Sequence, residues 1–100
     1  MTAFVLTPAA EADLTDIISY IAGHNSAAAE KTVDRFGRTF RMLADNPEAG
    51  HLREDLANEP LRFWTIYSYM IIYRPGTSPL QIIRILHGAQ DLKEMLDSGE

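Results

Sequence analysis

The chain has 100 residues, 46% of them hydrophobic, which supplies one core and one domain over residues 1–100 and leaves no room for a second. No apolar run approaches the roughly 18 residues of a membrane span, and the start, MTAFVLTPAAEADL, lacks the basic and apolar regions of a secretory signal. A cytoplasmic protein with no membrane partner is expected, and the absence of cysteine excludes disulfides, thiolate metal sites and thiol nucleophiles.

The formal charge of -5 argues against a protein whose whole surface attracts nucleic acid, but the charge is segregated. From Pro60 to Gln90 there are three arginines (Arg62, Arg74 and Arg84) and no acid, so this stretch carries +3 and the remainder -8.

In chain order, Ala3 to Leu6 is a short apolar run suited to one strand. Thr7 is placed to cap a helix that begins at Pro8, where the missing N–H costs nothing, with Glu11 in its first turn. Leu14, Ile17, Ile18 and Ile21 repeat at helical spacing, with Tyr20 and Ile21 expected in the core, and Gly23, His24 and Asn25 end the element. From Ser26 a second helix places Ala29, Val33, Phe36, Phe40 and Leu43 on one stripe. Arg35, Arg38 and Arg41 form a solvated face with Asp34 and Arg38 as an i, i+4 pair, and the helix stops at Asp45 to Pro47.

Two helices joined by so few residues pack as an antiparallel hairpin and need a partner for their shared apolar face. NPEAGHLREDLANEP reads as a polar loop, followed by three strand-like runs starting at Leu61, Tyr67 and Leu80, with RPGTSP as a turn between the last two. The expectation is an α+β fold: an N-terminal strand, then the helical hairpin packed on a small antiparallel sheet, in the order β-α-α-β-β-β. In the tail, Leu92, Met95 and Leu96 have the spacing of a short C-terminal helix.

The last strand holds the residues that raise the question of chemistry. In IIRILHGAQD, Arg84 and His87 interrupt an apolar run and Asp91 follows four residues later. Metal-free RNA cleavage needs a base for the 2′-hydroxyl, cations for the phosphate and an acid for the leaving oxygen. Arg62, Arg74 or Arg84 suits the phosphate, His87 the proton transfer, and Tyr67, Tyr69 or Tyr73 the positioning. Strict alternation, however, puts Leu80, Ile82, Arg84 and Leu86 on one face and Gln81, Ile83, Ile85 and His87 on the other, so Arg84 and His87 diverge unless a bulge intervenes. The reading favoured here is that no residue is catalytic, and that Arg62, Arg74, Arg84, His87 and Asp91 belong to a surface for a target or partner. His51, Glu54 and Asp55 have metal-ligand atoms but no supporting pattern, so no metal and no cofactor are expected. Phe63 and Trp64 are expected to divide between core and sheet surface.

The segments AEADLTDIISYIA, NPEAGHLREDL, RFWTIYSYMIIYR and IIRILHGAQD, with the spacing between them, resemble the RelE/ParE superfamily of bacterial type II toxin–antitoxin modules, and the ParE branch in particular. The likeness covers nearly the whole chain. It implies a toxin that binds and poisons DNA gyrase, arrests growth and so stabilises plasmids. It implies neutralisation by a cognate antitoxin encoded beside it, within a higher-order complex. The RelE branch implies instead a ribosome-dependent mRNA endonuclease, whose active set here would be Arg62, Arg84, His87 and Tyr73. The acidic loop GHLREDLANEP departs from the lysines and arginines typical of that branch and would repel RNA. A non-toxic interaction module is the third reading, because a fold does not fix a function.

Overall fold

A computed structural model of the chain describes residues 3–52 and 60–87. The elements are β1 (Phe4–Leu6), α1 (Pro8–Ala22), α2 (Ser26–Asp45), β2 (His51–Leu52), β3 (Arg62–Ile66), β4 (Tyr69–Arg74) and β5 (Leu80–His87). The expected α+β order holds, with one short strand added. β2 lies within the stretch read above as loop; its two exposed residues pair antiparallel with Arg62 and Phe63, a partnership invisible until β3 is in place. The expected C-terminal helix falls outside the described residues.

Local signals set the helix ends. The Thr7 hydroxyl accepts from the Ala10 N–H at 3.1 Å and Pro8 occupies the first turn. Gly23 closes α1, and two residues later the Asn25 side chain accepts from the Ala28 N–H at 3.0 Å to open α2. The hairpin therefore turns within three residues.

The five strands lie in the order β1-β5-β4-β3-β2. β3, β4 and β5 form the antiparallel meander, but β1 runs parallel to β5, with Phe4 opposite Leu80 and Leu6 opposite Ile82. The sheet is therefore mixed, not wholly antiparallel. The chain leaves β1 through the helical hairpin and comes back to it only at β5, a long connection of the kind that parallel pairing requires.

Helices cover one face of the sheet. Phe36, Phe40 and Leu43 of α2 pack with Ile66, Ile71, Tyr73, Leu80, Ile82 and Ile85. Phe4 meets Phe40 with ring centroids 5.2 Å apart, and Phe36 meets Tyr69 at 6.1 Å. On the opposite face Leu61, Phe63, Ile72 and Leu86 form a second apolar cluster, so Phe63 is core.

Three expectations about this core fail. Tyr20 is 68% exposed, Val33 is 47% exposed and Ile21 is only half-buried and outside the core cluster, while Thr32 and Thr39 are buried. Each threonine donates its hydroxyl to the carbonyl one turn back, Ala28 and Arg35 respectively, which satisfies the polar group and lets its methyl face the core.

Alternation along β5 also breaks. A register shift puts Ile72 opposite Arg84 and Tyr73 opposite Ile82, leaving Ile83 as the extra residue of a β-bulge. As a result Leu80 and Ile82 join Ile85 in the helix-side cluster, while Ile83 and Leu86 belong to the other one.

Candidate functional site

The candidate side chains sit at three separate places along the sheet. The first is the loop after α2. Tyr73 is fully buried in β4, and its hydroxyl donates to the Pro47 carbonyl at 2.7 Å while accepting from the Gly50 N–H at 2.8 Å. Its cross-strand neighbour Arg62 donates to the carbonyls of Gly50 at 2.8 Å and Glu48 at 3.3 Å. Together they clamp residues 47–50 onto the sheet. Burial pushes the Tyr73 phenol pKa up, against the opposing pull of the Gly50 N–H and the Arg62 charge. Gly50 is required there, because a Cβ would lie 2.5 Å from the Tyr73 hydroxyl oxygen.

The second place is the edge of β5. β1 pairs with this strand only as far as Ile82, where the Thr7 N–H donates to its carbonyl at 3.0 Å. Past that point α1 takes over with side chains. The Thr7 hydroxyl donates to the Ile83 carbonyl at 2.8 Å, and the Asp13 carboxylate accepts from the Ile85 N–H at 3.0 Å. The same carboxylate receives Arg84 through Nε at 2.7 Å and Nη2 at 3.0 Å, the two-pronged geometry that suits guanidinium and carboxylate. The Asp13 hydrogen bond pushes the Arg84 pKa further up, more than burial lowers it. Asp13 does not figure among the sequence candidates, yet the signal is present: it shares the 10, 13, 14, 17 face with Ala10, Leu14 and Ile17, an unusual place for an acid without a partner.

The third place is the far end of β5. His87 is the exposed residue of that strand; its ring stacks on Tyr69 at 5.0 Å, and its Nε2 shares a hydrogen bond with Ser68 Oγ at 3.1 Å. Arg74 lies at the opposite end of the β4–β5 pair, donating to Gln81 Oε1 at 2.6 Å. Asp91, Glu54 and Asp55 are outside the described residues, and His51 is exposed in β2.

The structure thus brings Tyr73 together with Arg62, and Arg84 together with Asp13, but among the described residues no place joins a base, an acid and a phosphate-binding cation. The expected Asp34–Arg38 pair is not formed among the described residues; Arg38 instead lines an open cleft with Arg35, Thr39, Met42 and Trp64. No described helix is long and apolar enough to cross a membrane.

Comparison with known proteins gives a coherent answer. A family model described as the ParE toxin of the type II toxin–antitoxin system, parDE, matches residues 4–92. Among solved structures, a chain from the chromosomal ParDE TA system of P. aeruginosa superposes with a TM-score of 0.69 at 24% identity, covering 88% of this chain and 97% of that one. At that identity the likeness speaks for the fold. Comparison with curated protein sequences finds no match.

Proposed function

The chain belongs to the ParE toxin family of type II toxin–antitoxin systems, and from that premise we propose that it acts by binding and poisoning DNA gyrase, held silent by a cognate antitoxin until released. The observation that supports a binder over a nuclease is the fate of the four candidate catalytic side chains. Tyr73 is buried with both sides of its hydroxyl in use, Arg62 serves the loop clamp, Arg84 serves Asp13, and His87 lies on Tyr69. A general base must come within hydrogen-bond reach of its proton together with its partners, and these groups are dispersed.

The target-facing surface in this reading is the end of β5 from His87 on towards Asp91, flanked by Arg84, with Arg74 at the other end of the sheet. The antitoxin surface in this reading is the side of the helical hairpin where Ile18 and Ile21 are half-buried and Tyr20 and Val33 are exposed. An amphipathic or extended segment laid there would bury apolar area that this chain leaves in water. Such a partner also accounts for the higher-order toxin–antitoxin complex expected of the family.

The test is to induce the chain without a partner and follow labelled thymidine and labelled amino-acid incorporation over the first minutes. Failure of DNA synthesis first, with DNA-damage signalling, is the expected result. Failure of protein synthesis first would replace gyrase with the ribosome, and unaffected growth would leave an interaction module without toxicity. Placing Glu at both Tyr20 and Val33 should abolish capture of the adjacently encoded antitoxin while leaving growth arrest intact.

A further inference from the structure

The cleft beside α2 is not used in the reading above. Arg35, Arg38 and Met42 share one stripe of the helix at i, i+3, i+7 spacing, and Trp64 comes up from the helix-facing side of β3 to close an open cleft of about 360 Å³. β2 pairs with Arg62 and Phe63, and Trp64 to Ile66 have no outer strand among the described residues. Trp64 is consequently half-buried, with part of its indole facing the two arginines.

The charges here are uncommitted. Among the described residues neither the Arg35 nor the Arg38 guanidinium has a carboxylate partner or a hydrogen bond. Arg35 lies instead over the ring of Tyr67, 5.5 Å from its centroid. Tyr67 is 61% exposed and holds φ 56°, a left-handed conformation that costs a bulky residue energy in a two-residue turn where Asn or Gly would be at ease. An aromatic ring retained in that conformation, in water and stacked with a cation, is accounted for by what it presents and not by what it packs.

We propose that this cleft binds single-stranded DNA, with Arg35 and Arg38 holding a backbone phosphate and Trp64, with the Tyr67–Arg35 stack, receiving unstacked bases. A cationic groove combined with aromatic platforms is the recognised chemistry of single-strand binding. The overall charge of -5 does not prevent it, because screening over about 8 Å at physiological salt lets a short strand feel the local arginines more than distant acids. DNA is favoured over RNA because the one hydroxyl lining the cleft, that of Thr39, has its proton engaged by the Arg35 carbonyl, so a 2′-hydroxyl would gain at most a single acceptor there. The proposal is independent of gyrase, since its test needs only the chain and an oligonucleotide.

Trp64 is the chain's single tryptophan, so its emission reports the cleft directly. The isolated full chain is titrated at low salt with a single-stranded deoxythymidine oligomer, and in parallel with the matching oligouridine and with polyglutamate. Saturable quenching by the deoxythymidine oligomer is expected, weakening as salt rises. The R35Q/R38Q double variant should bind on the order of tenfold more weakly and flatten the logarithmic salt slope by about 0.7, the value for one neutralised phosphate on a single strand. Trp64→Phe should keep binding by anisotropy and lose the fluorescence signal. No quenching of the folded wild-type chain overturns the proposal. Equal response to polyglutamate overturns it in favour of an acidic peptide, and tighter binding of oligouridine in favour of RNA.

Discussion

α1 buries a single residue, Ala10, along its whole length, whereas α2 buries Ala29, Thr32, Phe36, Thr39, Phe40 and Leu43. α2 is held as core helices are, by apolar area and ring contacts distributed along it. α1 is held by Ala10, Leu14 and Ile17 against the core and by directional contacts from Thr7 and Asp13 to the edge of β5, while towards its C-terminus Ile18 and Ile21 stay partly and Tyr20 mostly in water. The two helices of one hairpin thus divide the labour: α2 builds the domain, and α1 is positioned by it with a face to spare.

That contrast can be broken from either side. Phe40→Ala removes a ring that touches both Phe4 and Phe36 and should cost about 3–5 kcal/mol in urea unfolding, enough to threaten the fold. Asp13→Ala leaves the Ile85 N–H and a half-buried guanidinium without their acceptor and should cost about 2 kcal/mol, with early hydrogen exchange at Ile85. Tyr73→Phe removes two hydrogen bonds from the 47–50 loop and should cost about 1–2 kcal/mol, while leaving the helical hairpin unchanged by circular dichroism. Tyr20→Ser should alter stability by less than about 0.5 kcal/mol, since the ring is mostly in water, yet weaken antitoxin binding measured by calorimetry.

The Tyr73 hydroxyl also gives a pH signature. Its folded pKa is raised, so the folded state keeps a proton that the unfolded chain gives up above about pH 10. Its contribution is complete below that value and is lost as pH rises through the folded pKa. Urea midpoints should therefore gain an alkaline decline that Tyr73→Phe diminishes.

Much of the framework is legible in the sequence because its causes are local. Thr7 with Pro8, Gly23, Asn25 and the Asn46–Pro47 stop act within a turn of themselves, and the meander strands announce themselves by β-branched and aromatic runs. What is not legible depends on residues far apart in the chain. The parallel pairing of β1 with β5 joins positions 4–6 to 80–82, and β2 exists only because β3 lies beside it. The bulge at Ile83 cannot be read from a run of alternating isoleucines, yet it decides which of them face the helices. At the candidate sites, residue types alone could assemble Arg62, Tyr73, Arg84 and His87 into a plausible set; only the three-dimensional partners reveal that Gly50, Asp13 and Tyr69 have taken them. Tyr20 and Val33 misled because they sit one position off the true stripe, where helical periodicity alone does not separate buried from exposed.

The side chains that replace a strand along β5 carry a consequence for the protein's solution behaviour. An unpaired strand margin invites edge-to-edge association. With the Ile83 carbonyl and the Ile85 N–H already occupied by Thr7 and Asp13, a second copy cannot extend β1 along this margin without first prising away the start of α1. A carboxylate in the first half of a helix thus serves this chain as a guard against edge-to-edge self-assembly.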